Sequence, residues 1–348
     1  MHALLTMVNN HTCGDGHQPA RAARKDQKLA TRLKRLSTPA IILTMSSQTS
    51  TPSRIVLLPN PEMPKALQLA GLIGDRLSDA GAAVSTFISQ TSPVAPSPDL
   101  SGVDLVIVLG GDGTLLRAGH LCAPLGIPLL GVQAGRLGFL SELTESSWEA
   151  ALPRLLAGDF HLEQRMMLLA QLIQDERVRG EWDVINEIVI ARGRIVRPIE
   201  VRVDLNEGYL TSYIADGLIV ATATGSTAYA LAVGGPILPP ELRNMLLLPI
   251  APHLSLDRAV VLAEGASVVL RAQCDHEAVI SVDGTDPIRL NENDAVRVTA
   301  NQHSLKMVRF GERNYFYRRL ATVLHDNPAL KQNRSEEHTS ELQSRQVI

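Results

Sequence analysis

Aromatic residues are scarce in this chain: two Trp, five Tyr and five Phe among 348 residues, or 3%. Readers of single-stranded nucleic acid stack bases on exposed rings, so so few rings argue against that class. A basic excess is also missing. The net charge is −3, whereas binding to duplex backbones depends on Lys and Arg. Cysteine is rarer still, with Cys13, Cys122 and Cys274 forming neither a CxxC nor a cluster. That excludes a disulfide framework and a cysteine-built zinc site, and it suits a reducing cytoplasm. No apolar run approaches the roughly 18 residues of a membrane span. The opening HALLTMV is too short, and its flanks too uncharged, for a secretory signal. Neither a nucleic acid nor a membrane is expected as a partner.

What is present is a soluble composition with an aliphatic core: 45% hydrophobic and 20% charged residues. The length fits one large or two medium domains. The ends differ from the middle. Residues 1–44 hold seven Lys or Arg against Asp15 and Asp26, a net +5, in a stretch (RAARKDQKLATRLKRL) with the makings of a basic helix. A targeting peptide or nucleic-acid arm is one reading of it. A disordered leader, or translation upstream of a start at Met45, is the reading preferred. At the other end RSEEHTSELQS (334–344) resembles a translated sequencing-adapter oligonucleotide, and 334–348 are set aside from the fold. Of the net −3, the leader holds +5 and the tail −1, which leaves −7 for 45–333.

From Arg54 strands and helices alternate. RIVLLP (54–59), AVSTFI (83–88), DLVIVLG (104–110) and IPLLGV (127–132) read as strands, and 62–80, about 114–122 and 145–157 as helices. The third strand is apolar without alternation, as a buried parallel strand should be. This predicts a doubly wound α/β domain over 54–157. Beyond about 160 the pattern turns to strands: 165–173, 182–190, 199–205, 209–215, 217–223, 259–263, 267–273, 278–283 and 294–300. Asn206–Gly208, Asp216-Gly217 and Asp283-Gly284 supply turns between them. Only 227–233 and 315–324 look helical here, so 160–310 is expected to be a mostly antiparallel β-sandwich followed by a C-terminal helix in 311–333.

Three segments carry candidate chemistry. In VIVLGGDGTLLRAG (106–119) a buried strand runs into Gly110-Gly111-Asp112-Gly113-Thr114 and a helix begins. Glycines let a ligand approach the backbone, and amides at a helix N-terminus favour phosphate oxygens. Asp112 places one carboxylate in that anion-binding turn, where it must hold a metal or take a hydroxyl proton. Asp-Gly is also a favoured turn pair. The segment is neither a Walker turn nor a GxGxxG. In ADGLIVATATGSTAYALAVGGPIL (215–238), Asp216 opens a tight turn, and Thr224-Gly225-Ser226-Thr227 precedes a short helix that Ser226 or Thr227 would cap. Asn186-Glu187 interrupts an apolar strand, putting one polar side chain on each face. A buried amide or carboxylate there needs partners. Asp283-Gly284 closes another strand as a simple turn, or supplies a second carboxylate.

Taken together, GGDGT (110–114), GRLGFL (135–140), NE (186–187), DGLIVATATGSTAYALAVGGPI (216–237), VDG (282–284) and FGERNYFYRRL (310–320) resemble the NAD kinase family. GGDGT alone is shared with lipid kinases and phosphofructokinase-like enzymes, whereas the GSTAY block with NE and GRLGFL is specific. The resemblance implies a Rossmann-like N-terminal domain, a C-terminal β-sandwich and a site between them. It implies phosphoryl transfer from ATP or polyphosphate to the adenosine ribose 2′-hydroxyl of NAD, with Mg²⁺ or another divalent cation. Asp112 would be the proton acceptor, and Gly110, Gly111, Gly113 and Thr114 would hold phosphates. Asp112 and Gly113 would also line the NAD site, with Phe139 against the adenine region, Asn186 and Glu187 holding NAD, and Arg197 bordering it. Asp216 would face the nicotinamide riboside. Thr227, Ala228, Tyr229, Ala230, Leu231 and Ala232 would line the pocket, Tyr229 reaching NAD bound to a neighbouring copy in a homodimer or homotetramer. Gln133, Ile214 and Thr285 depart from residues frequent in the family (Asn, Arg and Gln). The rival readings are another GGDGT-type kinase, acting on a lipid or sugar phosphate, and a nucleotide-binding regulator without turnover.

Overall fold

Four short parallel strands form the first half of the computed structural model, which describes residues 51–88, 98–135, 138–206, 208–253, 257–311 and 315–325. The basic leader and the adapter-like tail lie outside these residues. Strands β1 (Arg54–Pro59), β2 (Ala83–Thr86), β3 (Leu105–Gly110) and β4 (Leu129–Gln133) stand in the order β4-β3-β1-β2. Every residue of β3 and β4 is buried, because helices cover both faces. Alternate side chains show this. Ile55, Leu57, Ile107 and Leu109 pack against α1 (Pro64–Asp79) and α3 (Trp148–Leu156), while Val56, Leu58, Val106 and Val108 pack against α2 (Asp112–Cys122). The domain is doubly wound, as expected. Helix α2 begins at Asp112, two residues before the expected start, with Gly111 as its extended N-cap. A two-residue strand, β5 (Leu143–Thr144), pairs with β4.

The second half is antiparallel. Strands β6 (His161–Gln174), β7 (Arg177–Val184), β9 (Ile199–Leu205), β10 (Gly208–Ala215), β14 (Val268–Gln273) and β17 (Ala295–Arg309) extend the first sheet. Strands β8 (Glu187–Arg192), β11 (Gly217–Thr222), β12 (Asn244–Ile250), β13 (Val260–Ala263), β15 (Ala278–Val282) and β16 (Ile288–Leu290) make a second, in the order β13-β12-β11-β8-β15-β16. The core of this sandwich lies between them, with Leu168, Val201 and Val298 facing Ile188, Leu218 and Leu247. Strand β17 belongs to both halves. It pairs antiparallel with β6 and β14, and at Met307 it joins Leu129 of β4 in parallel. It therefore runs well past the expected 294–300.

One expectation about a single segment is corrected and another refined. Residues 182–190 are not one strand: β7 ends at Val184 in the first sheet and β8 starts at Glu187 in the second. The turn expected at Asp216-Gly217 does separate two strands, but β10 and β11 belong to different sheets, so Asp216 is the corner between them. Strand β12, read from the sequence as nothing in particular, pairs with the whole length of β11. The outer face of β11 is covered too. Ile219 and Ala221 pack under Ala230 of α4 (Tyr229–Ala232), preceded by a 3-10 turn at Gly225–Thr227. A C-terminal helix, α5, spans Tyr315–His325. None of the described helices is long and apolar enough to cross a membrane.

The Asp216 corner leaves no room for a side chain at its next residue. A Cβ on Gly217 would stand 2.6 Å from the Ile190 carbonyl oxygen and 3.2 Å from Ala191 Cα, both backbone atoms. Gly217→Ala is expected to destabilise the chain by about 1–3 kcal/mol, the usual cost of overpacking. Urea denaturation measures this, and an unchanged midpoint would contradict the corner geometry.

Candidate active site

The site begins where β3 hands the chain to α2. Asp112 is the first residue of the helix, and its carboxylate accepts hydrogen bonds from the Phe139 amide (2.8 Å) and the Leu140 amide (3.2 Å). Gly138 permits this approach, since a Cβ there would fall on the Asp112 carboxylate. GRLGFL therefore needs its glycine for the sake of an aspartate 26 residues earlier. Gly110 is required for packing as well, because its Cβ would meet Thr114 Oγ1 at 2.7 Å. Gly111 and Gly113 differ. A Cβ on either would touch nothing within 4 Å, so the protein itself does not demand glycine there. Thr114 is the third residue of α2 and its amide donates to the Gly111 carbonyl (3.0 Å). Among the described residues the Asp112 and Gly113 amides have no partner, and no side chain caps them. Open space over unpaired amides suits a phosphate. The Thr114 hydroxyl accepts from Asn60 Nδ2 (3.2 Å), and Asn60 follows β1. The sheet order reverses between β1 and β3, the usual place for a ligand in a doubly wound sheet.

A second cluster is built on Asp283. Its carboxylate is 2% exposed and accepts three consecutive amides, from Ile185 (2.8 Å), Asn186 (2.7 Å) and Glu187 (2.9 Å). His120 Nε2 of α2 lies 2.9 Å from it. Asp283 is thus the fastening of the corner where the chain changes sheets, and not a second reacting carboxylate. Thr222 completes the fastening: its hydroxyl donates to the Ile185 carbonyl (2.7 Å) and accepts the Gly225 amide (3.0 Å). A Cβ on Gly225 would fall on the Asn186 carbonyl. The GST turn and the NE pair are consequently in backbone contact. Neither Ser226 nor Thr227 caps α4. Ser226 is fully buried, donating to the Ala223 carbonyl and accepting the Leu238 amide, and Thr227 donates to the Thr224 carbonyl. Tyr229 is exposed.

Glu187 is the electrostatically unusual member. It is 7% exposed, and its Oε2 has no hydrogen-bond partner among the described residues. Burial, and then the Asp283 carboxylate, raise its carboxyl to about 7, with the Tyr229 amide opposing them. A buried acceptor left unpaired is expensive unless a ligand completes it.

The two clusters share α2. Asp112 opens it and His120 follows eight residues later, roughly 12 Å along the axis at about 1.5 Å per residue. A ligand touching both is elongated. Asp216 and Arg197 are elsewhere. Ala221 pairs with Glu187 whereas Gly217 pairs with Ala191, so Asp216 sits at the far end of β11, roughly 20 Å from Thr222 at about 3.3 Å per residue. There it forms an ion pair with Arg192 at 3.1 Å. Arg197 is bound to Asp275 at 3.1 Å, at the same end of β8. Within one chain Asp216 therefore stands apart from Glu187. Sequence reasoning missed Asn60, His120 and Thr222. Only Asn60 carried a signal, as a polar residue at the carboxyl end of a strand.

Comparison with known proteins now decides the family. The model described as ATP-NAD kinase N-terminal domain matches residues 40–160, and the one described as ATP-NAD kinase C-terminal domain matches 185–310. The chain belongs to the NAD kinase family. An NAD kinase of Heliobacterium modesticaldum is 40% identical over 264 residues, 74% of this chain and 93% of that one. One of Chloroflexus aggregans is 38% identical over 271 residues, 78% and 98% of the two. Among solved structures, a yeast NADH kinase complexed with NADH aligns with a TM-score of 0.70 at 24% identity, covering 80% of this chain and 89% of that one. An NAD kinase from Archaeoglobus fulgidus in complex with ATP aligns with a TM-score of 0.62 at 22% identity, covering 78% and 98%. The fold is the one these enzymes share. Membership assigns the chain a phosphotransferase activity, ATP-dependent phosphorylation of NAD, and nothing favours a lipid or sugar-phosphate kinase or a regulator without turnover.

The Glu187 carboxyl supplies a test of the second cluster. The folded chain keeps this proton up to about pH 7, whereas the unfolded chain loses it near 4.5. The folded state binds more protons across that window, so this residue's contribution to stability falls as pH rises through it. In Glu187→Gln the dependence disappears. The stability difference between wild type and variant, from urea titrations, should shift by about 2–3 kcal/mol between about pH 4.5 and 8. A difference that stays constant with pH would exclude this environment for Glu187.

Proposed function

We propose that Asp112 accepts the proton of the adenosine ribose 2′-hydroxyl of NAD while that oxygen attacks the γ-phosphorus of ATP. The O–P bond forms, the bond from γ-phosphorus to the bridging oxygen breaks, and ADP leaves. Phosphoryl transfer asks mainly for positioning and electrostatics, and the hold on Asp112 carries this reading. A carboxylate has about four acceptor sites. Two amides fill one site on each Asp112 oxygen, which fixes the group and leaves it free to take a hydroxyl. The open amides at Gly111–Gly113 suit the donor's phosphates, with Gly110 and Thr114 shaping that turn.

Asn186 and Glu187, joined to the Thr227–Ala232 segment through Gly225, are assigned to the NAD site, with Phe139 on the adenine side. The half-open Glu187 carboxylate fits a hydroxyl or amide donor of the dinucleotide. Asp216 and Arg197 belong to the proposal only if a second copy presents that end of its sandwich, as a homodimer or homotetramer does. Exposed Tyr229 is the counterpart facing a neighbour. No three His, Cys, Asp or Glu side chains converge on a cation site among the described residues. Mg²⁺ or a similar cation would accompany the donor phosphates and neutralise their charge. Polyphosphate is an alternative donor for the same amides. A cytoplasmic setting accords with free Cys122 and Cys274.

Asp112→Asn keeps the size and loses the base. A general base contributes about 10²–10⁴-fold, so kcat in a coupled NADP assay is expected to fall at least ~10²-fold with little change in NAD affinity. Near-wild-type turnover of the folded variant would end the assignment. Running ATP and polyphosphate in parallel identifies the donor.

A further inference from the structure

The segment that holds Asp112 is itself held from behind. Leu140 is buried, and while its amide reaches Asp112 its carbonyl accepts a hydrogen bond from Arg309 Nη1 at 3.1 Å. Arg309 closes β17 and has no exposed surface. The same Nη1 reaches Glu142 Oε2 (3.3 Å), and Nη2 reaches Glu163 Oε1 (3.2 Å). Glu163 also takes Arg165 Nε at 2.7 Å, and Glu142 Oε1 takes the Phe310 amide at 2.9 Å. Among the described residues, two Arg and two Glu gather in this largely buried cluster.

Such clusters rarely exist for stability, since apolar residues of similar volume often serve a fold as well or better. A guanidinium fork does what an apolar side chain cannot: it fixes several acceptors in one plane. Here one acceptor is the carbonyl of the residue whose amide holds the reacting carboxylate.

We propose that Arg309 is a positioning residue for phosphoryl transfer, clamping Leu140 so that the Phe139 and Leu140 amides hold Asp112 at the angle from which it meets the ribose hydroxyl. The inference rests on the assignment of Asp112 above. Arg309 touches neither substrate. It acts through a single intervening residue.

Arg309→Lys keeps the charge and loses the fork. Displacing a reacting group by about 1 Å costs as much as 10²-fold. The expected result is a kcat lowered about 10- to 100-fold, with KM for NAD and for ATP within about twofold of wild type. A residue acting only through Asp112 has nothing left to position once that carboxylate is gone. The double variant D112N/R309K is therefore expected to turn over at the rate of D112N alone. Should R309K fail to fold, Glu142→Gln provides the test. It weakens one arm of the clamp, and a several-fold lower kcat with unchanged KM is expected, measured below the variant's thermal midpoint, which the loss of a buried ion-pair partner lowers. Wild-type kcat in R309K, or in E142Q if that variant must stand in, overturns the proposal. So does a loss shared equally by KM, or a further loss in the double variant. Near-wild-type turnover in D112N is a separate outcome: it removes the Asp112 assignment and this inference with it. Inactive D112N beside fully active R309K removes the inference alone.

Discussion

A buried carboxylate must find donors, and Asp283 finds them in three consecutive amides at the place where the chain leaves one sheet for the other. The rest of the site hangs on that corner. It aims Asn186 and Glu187 and offers the Asn186 carbonyl for Gly225 to lie against. Through Ile185 it also packs on Gly119 of α2, where a Cβ would come within 2.6 Å of Ile185 Cδ1. The His120 contact ties the same carboxylate to the helix that begins with Asp112. One acceptor thus sets the spacing between the two parts of the site. It also explains why Asp283 is ill suited to chemistry, since its lone pairs are already engaged.

Strand β17 solves the complementary problem of joining unlike halves. Its first residues pair with β14 and β6 in the antiparallel sandwich. Its last residues continue along β6 and meet β4, so the parallel sheet and the sandwich share one hydrogen-bonded surface. Arg309 stands at the end of this strand, beside the segment that holds Asp112. The departures from the family pattern fit without touching Asp112. Gln133 is buried and accepts the Ser141 hydroxyl at 2.7 Å, bracing that same segment, while Thr285 closes the Asp283 turn on the Val282 carbonyl and Ile214 is exposed on β10.

Most strands and the α/β half were legible because burial imposes its own period. An all-apolar run such as 104–110 means cover on both faces, and the 3.6-residue spacing of 62–80 means one buried stripe. The failures occurred where periodicity is blind. At 182–190 the apolar pattern continues through Ile185, yet the chain changes sheets there, and only Asp283, nearly a hundred residues later, marks the spot. At 216–217 a favoured turn pair turned out to be a corner between sheets. Local preference identifies a bend and says nothing of which strand receives the chain next.

For the site the division is similar. Residue types and their order along the chain carry the chemistry: a carboxylate among glycines at a helix start, an NE pair, a GST turn. Those features, with their resemblance to one family, were enough to place the chain among its relatives. Which glycines serve the protein and which leave space for a ligand emerged only from distances, Gly138 and Gly225 on one side and Gly111 and Gly113 on the other. The separation of Asp216 from Glu187 likewise follows from strand register. Sequence specifies which groups exist, but hydrogen-bonded pairing over long separations decides which of them meet.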